Sequence, residues 1–373
     1  MATPRRATDA DWDDVMDLVD RCFRYASGGM AAQWGHCYDR DRPEDHAVID
    51  ADGEIVSHIG VVPDVLLVGD HELPRWGISG VCTDPRYRGE GHMQALLDFW
   101  LAEMDTADVP ISTLGGDRQR YGHVGFETGG IVRTYTITNR SFDRPEPPAS
   151  FVRFDGSADH REEIRPLQDA RQLRVHRDPR AMALRFGRSH METLFVPDRA
   201  YLTFSRGDSS ATVGDVAGEP ATVLGLLGYA MEAYSLSRVR VTLPPGDSLH
   251  AIFARPDVSS GWGSRPHRKM RINDLPAVLA AFVDQLGERL GPTATRGELV
   301  LGIEDDDDAA CLVWDGPDVS VDRTDAVPDL TLDRMAMTRL LFVDPDIVPD
   351  VTLDPALVAA LPLSYFVPRL DQV

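Results

Sequence analysis

Val81-Cys82-Thr83-Asp84-Pro85-Arg86-Tyr87-Arg88-Gly89-Glu90-Gly91-His92-Met93 reads as a strand ending in a turn whose two glycines open a helix. A helix start offers unpaired N–H groups and a partial positive charge, and glycines let an anionic group approach the backbone closely. The stretch is therefore a candidate anion cradle. Around it Arg75, Arg86 and Arg88 stand against Asp84 and Glu90, a small local excess of positive charge. The same residues also fit an ordinary strand–helix turn with two left-handed glycines. Two other phosphate-binding patterns drop out. A Walker A loop needs Gly-Lys-Ser/Thr, and Lys269 sits in no such context. A Rossmann turn needs three glycines directly after the strand, within a βαβ unit.

Outward from this turn the pattern is mixed α/β. Residues 8–23 read as a helix, with a capping box at Thr8 and Asp11 and apolar Val15, Leu18, Val19 and Cys22 at helical spacing. Residues 46–50, 55–62, 65–68 and 76–83 read as strands, broken at Asp52-Gly53, Pro63-Asp64 and Gly69-Asp70. A helix over 92–104 and strands over 109–114 and 131–138 follow, and Pro145, Pro147 and Pro148 mark a linker. Beyond it, helices are predicted over 178–185 and 220–234 and strands over 201–204 and 238–243, without a glycine-rich turn. In the last hundred residues Asp274 caps a helix with apolar positions from Leu275 to Leu290, ended by Gly291-Pro292. Strands over 298–303 and 309–314 flank Asp305 to Asp308, a solvated hairpin tip without EF-hand spacing, and a final helix begins after Asp333. The fold class is α/β, in two or three domains for 373 residues.

The chain carries a net charge of −22, which argues against a nucleic-acid partner, since neutralising phosphates needs a basic footprint. Lys269 is the only lysine, and 45 Asp outnumber 15 Glu. That balance suits a high-salt cytoplasm, where hydrated carboxylates keep a protein dissolved and salt screens their repulsion, and the expected source is a halophilic archaeon. Cys22, Cys37, Cys82 and Cys311 show no CxxC spacing, so neither a disulfide framework nor a zinc site is indicated, and no metal is expected. With no leader-like apolar segment at the start and no long apolar run, the protein reads as cytoplasmic, with no membrane partner.

Arg86-x-x-Gly89-x-Gly91, with a strand before it and a helix after it, resembles the Arg/Gln-x-x-Gly-x-Gly/Ala signature of the GCN5-related N-acetyltransferases (GNAT). Further on, Gly116-Asp117-Arg118-Gln119-Arg120-Tyr121-Gly122-His123-Val124-Gly125-Phe126 resembles that superfamily's closing Tyr-x-x-x-Gly-Phe element. Arg271-Ile272-Asn273-Asp274-Leu275-Pro276-Ala277-Val278-Leu279 and Pro328-Asp329-Leu330-Thr331-Leu332-Asp333 are similar to the third domain of the Eis-like (enhanced intracellular survival) acetyltransferases. The resemblance implies a catalytic GNAT domain at 1–143, a degenerate second GNAT-like domain at 144–272 and an α+β sterol-carrier-protein-like domain at 273–373. It also implies a homo-oligomer, a hexamer in size.

The resemblance further implies acetyl-CoA as acyl donor and a primary amine as acceptor, on a small molecule or a lysine side chain, attacking the thioester directly in a ternary complex. The backbone of Val81, Cys82 and Thr83 would pair with the pantetheine arm and polarise the carbonyl. Arg86 is part of the signature, and the amides of Arg88, Gly89, Glu90, Gly91, His92 and Met93 would hold the pyrophosphate. Tyr121 corresponds to the general acid, and the carboxylate of Val373 to the general base. Cys82 reads as a small buried hydrophobe, His92 and His123 as a helix-start and a loop residue. The competing expectation is a non-catalytic acyl-CoA or lipid-binding protein with a vestigial GNAT fold.

Overall fold

The computed structural model describes residues 3–304, 306–349 and 351–373. Asp305, the first of the four aspartates, lies outside the described residues. The chain divides into two compact units: one gathers the chain up to Gly130 with Arg268–Leu363 and Val373, the other Ile131–His267 with Ser364–Gln372.

In the first unit a sheet runs in the order Arg5–Arg6, His46–Ala51, Glu54–Val68, His71–Thr83, Ile111–Leu114 and then residues 269–272. Helix Trp12–Phe23 covers one face with Trp12, Val15, Leu18 and Val19, and helix His92–Thr106 covers the other with Leu96, Leu97, Trp100 and Met104. Trp100 Nε1 donates to Ile59 O at 2.9 Å, so the ring is both buried and satisfied. The Thr8–Asp11 capping box forms as the sequence predicts, on a 3-10 turn ahead of the helix.

Two sequence expectations change here. Residues 55–62 and 65–68 are one strand, Glu54–Val68, of 15 residues. Pro63-Asp64 does not break it: the ladder to His46–Ala51 ends at Gly60, and Pro63 and Asp64 stay in register opposite Trp76 and Arg75 of the next strand. The helix expected from Asp274 to Leu290 is two, Leu275–Ala280 and Val283–Leu290. Asp274 caps the first, accepting from Ala277 N at 3.0 Å. A four-stranded sheet, in the order Asp318–Thr324, Ala309–Asp315, Arg296–Ile303, Leu330–Leu332, packs with these helices and with Arg334–Phe342. Leucines from them surround an apolar gap of about 10 Å³, at the lower limit for one water and far short of a lipid.

The second unit orders its strands as residues 131–138, then Arg238–Leu243, Ser210–Gly218, Ala200–Arg206, Met191–Val196 and Val152–Arg153. Helix Pro220–Ala233 packs on one side of its core, and Ala158–Asp169 with Pro179–Phe186 build a second cluster. Both units repeat one element order: antiparallel hairpin, helix, then a strand parallel to the hairpin's second arm. Among the described residues no helix is long and apolar enough to cross a membrane.

Candidate active site

The strand His71–Thr83 pairs in parallel with Ile111–Leu114 only from Arg75↔Ile111 to Ile78↔Leu114. Beyond Ile78 the two strands part, and residues 79–83 keep only the Glu54–Val68 strand as a neighbour. A bulge falls in this stretch: Ser79 pairs with Gly60 and Cys82 with His58, so Gly80 and Val81 face a single residue, with Gly80 at φ +60°. A bulge withdraws an amide and a carbonyl from the ladder and re-aims the chain. Val81 thus lies on the bulge at the edge of the fork, and Gly80 O accepts from His58 Nδ1 at 2.8 Å.

The strand ends at Thr83 and the turn follows. Gly89 and Gly91 have φ of +85° and +81°, values that favour glycine, and a Cβ at either would meet nothing within 4 Å. The turn is open as well as left-handed, and helix His92–Thr106 starts directly after it. The arginines do not all serve the turn. Arg75 is buried, bonded to Asp64 at 2.5 Å and Thr113 at 2.9 Å, and so holds strands together. Arg86 is taken up by Asp84, at 3.1 Å, and by Glu54. Arg88 is exposed and, among the described residues, bonds only main chain, Nε to Thr83 O at 3.2 Å, which leaves its charge for a ligand. His92 is buried at the helix start, 3.4 Å from Glu90; His123 is in the loop, hydrogen-bonded to Gln94 at 2.6 Å.

Tyr121 closes the short helix Arg118–Tyr121, with Asp117 as N-cap. It is 4% exposed and packs edge-on against Phe126. Burial raises its phenol pKa, with Arg120 pulling the other way. The loop is fixed through Glu127, which is buried and accepts from Arg118 Nε and Arg339 Nη1, each at 2.6 Å. Arg271 Nε donates to Val124 O at 3.0 Å, and Met335 lies against Gly122. The last hundred residues thus seat the tyrosine loop.

Val373 belongs to this unit. Its side chain lies against Gly77, whose added Cβ would stand 2.9 Å from Val373 Cγ1, and its main-chain oxygen is 3.3 Å from the corresponding position at Gly115. Gly77 and Gly115 flank the place where the two strands part, so the chain's last residue comes to the root of the fork.

One group was not anticipated from the sequence. His46 and His58, both buried, face each other at 2.9 Å, and Tyr38 stacks on His46 beside Gly80. Burial first, and for His46 the neighbouring ring second, push both imidazoles below their ordinary range, His58 to about 4.

With this geometry in place the comparisons can be read. Residues 3–129 match the acetyltransferase (GNAT) domain model. The chain carries a GNAT domain at its start. The whole chain is similar in fold to a GCN5-related N-acetyltransferase from Anabaena variabilis, at TM-score 0.76 and 18% identity over 100% of both chains. A GCN5-related N-acetyltransferase from Kribbella flavida gives 0.74 and 16%, covering 100% of this chain and 98% of that one. Eis1 from Mycobacterium abscessus gives 0.66 and 16% over 98% of each. No curated protein sequence matches the chain. The fork, bulge and open glycine turn all lie within the GNAT domain.

Proposed function

We propose that this protein is an acetyl-CoA-dependent N-acetyltransferase acting on a primary amine, and that the fork of the GNAT domain is its active site. The observation that carries the reading is the open turn at Gly89 and Gly91 directly beyond a bulged strand edge. The residues fit a nucleotide-thioester donor: a pyrophosphate has the amides from Arg88 to Met93 at the helix start and the Arg88 guanidinium, and a thioester carbonyl has the Val81 amide at the bulge. An N–H fixed before reaction stabilises the developing oxyanion without reorganisation.

In the transfer the amine nitrogen forms a bond to the acetyl carbon, the carbon–sulfur bond breaks, the Tyr121 phenol protonates the departing thiolate and the Val373 carboxylate takes a proton from the amine. A raised phenol pKa suits that donor, since it stays protonated at working pH. The Val373 oxygen beside Gly115 supports its assignment as base.

The reading extends to the modules at 1–143, 144–272 and 273–373. The repeated element order supports a degenerate second copy, and its turn explains the missing cradle. There a Cβ on Gly218 would stand 2.1 Å from Arg199 O, so the chain's own backbone fills the space an anion would need. The acid-rich composition supports a halophilic cytoplasm, and the resemblance supports a homo-oligomer.

Calorimetric titration with acetyl-CoA in molar KCl tests the reading. Binding by wild type that is lost in Gly89→Glu supports it, followed by thiol release with a panel of amines. A folded wild type that binds no acetyl-CoA overturns it.

A further inference from the structure

The second unit has a fork of its own. Strands Ser210–Gly218 and Arg238–Leu243 pair in parallel only from Ser210↔Arg238 to Thr212↔Arg240 and then separate. The space between them is a cavity of about 280 Å³, with Phe366 and Arg369 of the C-terminal segment on its wall. That is near the small end of the range for pockets that hold metabolites.

Its charge is the unusual feature. Arg171, Arg240, Arg265 and Arg369 all line it, and among the described residues Asp215 is the only lining carboxylate. Asp215 is already spent. Its Oδ1 accepts from Arg171 at 2.5 Å, and its Oδ2 accepts from Arg177 at 2.7 Å and from the Tyr201 hydroxyl at 2.8 Å. Behind it Arg177 and Arg185 share the buried Asp371. Among the described residues the printed pairs bring Arg171, Arg177 and Arg185 against Asp215 and Asp371, an excess of positive charge.

Arg240, Arg265 and Arg369 add to that excess. Among the described residues none of the three has an ion-pair partner. Elsewhere most of the chain's arginines sit beside a carboxylate, as 60 acidic residues against 38 basic ones would suggest. Burial, and then the charge of Arg240, push the Arg369 guanidinium below its ordinary range. Like charges held together at a cavity mouth cost free energy unless an anion neutralises them.

We propose that this cavity binds a small phosphorylated ligand, its phosphate held by Arg240, Arg265 and Arg369. Guanidinium groups arriving from two strands and the C-terminal segment suit the several oxygens of a tetrahedral phosphate, whereas a planar carboxylate is satisfied by one fork. Thr212 and Thr242 add hydroxyls to the same wall, and Phe366 gives the remainder of the ligand an apolar surface. The site is separate from the Gly89–Gly91 turn and stands whether or not the GNAT domain transfers acetyl groups.

The test is calorimetric titration of the full chain with inorganic pyrophosphate, at the lowest KCl concentration that keeps the circular dichroism native, with citrate as the carboxylate control. Wild type, Arg240→Gln/Arg369→Gln, Arg240→Lys and Gly89→Glu are compared. The expected result is a pyrophosphate affinity lowered by roughly 100-fold in the double variant, about tenfold per charge-assisted contact, and kept in Gly89→Glu and largely in Arg240→Lys. Circular dichroism checks that the double variant folds. No binding by wild type, an unchanged affinity in the double variant, or binding that only Gly89→Glu removes would overturn the site. Citrate bound as tightly, with the same dependence on the arginines, would overturn the phosphate assignment.

Discussion

Arg268 Nη2 donates to the main-chain oxygen of Val373 at 2.8 Å. Its use is to hold the group still at the root of the fork.

The first prediction follows from that pairing. Arg268→Gln should lower kcat by roughly 10- to 100-fold, the range a displaced catalytic group produces, and leave acetyl-CoA affinity within twofold. Arg268→Lys, which keeps a donor and a positive charge, should restore kcat in part. An unchanged kcat in Arg268→Gln would show that the Arg268–Val373 pairing does not position a working base. Residues appended after Val373 should abolish turnover while sparing acetyl-CoA binding.

Gly77, Gly115 and Val373 also mark how far the sequence could be read. The Arg86-x-x-Gly89-x-Gly91 turn and the loop ending at Phe126 were legible because their chemistry is local: a positive φ demands glycine, and an N-terminal helix turn follows at once. Gly77 gave no such signal. It is required by a residue almost three hundred positions away, and distance in sequence hides that. Arg75 misled for a related reason, since only the folded sheet shows Asp64 and Thr113 consuming it. The strands Met191–Val196 and Ser210–Gly218 were missed because their polar Glu192, Thr193 and Asp215 find partners only in the packed unit.

Tyr121→Phe should cut kcat by roughly 10²- to 10³-fold, the usual worth of a positioned general acid. Burial raises the phenol pKa, so the acid is fully protonated at neutral pH and its loss of a proton should limit the rate only above the ordinary tyrosine value near 10. The basic limb of wild type should vanish in the variant. If Tyr121 only packs beneath the donor, acetyl-CoA affinity falls instead and the limb persists.

Cys22 should be the most reactive of the four cysteines. A hydrogen bond from the Cys82 thiol is the largest influence, and although burial opposes it, Arg21 and Arg88 assist, bringing Cys22 to about 7. Cys82 is pushed far up by the same contact and by burial, and burial raises Cys311. The thiolate is the nucleophile, so iodoacetamide at pH 7 should label Cys22 first, with a rate rising most steeply around that pH. Peptide mapping by mass spectrometry reads the order, and preferential labelling of Cys311 would contradict it.

The histidine pair should leave its mark on stability. His58 Nδ1 donates to Gly80 O, so its Nε2 is an acceptor and His46 Nδ1 must be the donor across 2.9 Å. A proton on either ring would put two N–H groups or a net charge into a buried site. Both folded pKa values therefore lie below the unfolded value near 6.5, His58 at about 4. Below pH 6.5 the unfolded chain takes up protons that the folded chain refuses, so this contribution to stability falls as pH falls, by about 1.4 kcal/mol per pH unit for each histidine. His190, lowered to about 4, acts in the same direction, while Asp45, raised by burial to about 6, opposes it because its folded form gains a proton first. The difference between proteins isolates the pair. Urea unfolding at pH 6.5, 6.0, 5.5 and 5.0 should show a shallower loss of stability in His58→Gln than in wild type, by a difference that rises towards about 1.4 kcal/mol per pH unit near pH 5. Parallel slopes would mean that His58 titrates normally in the folded chain.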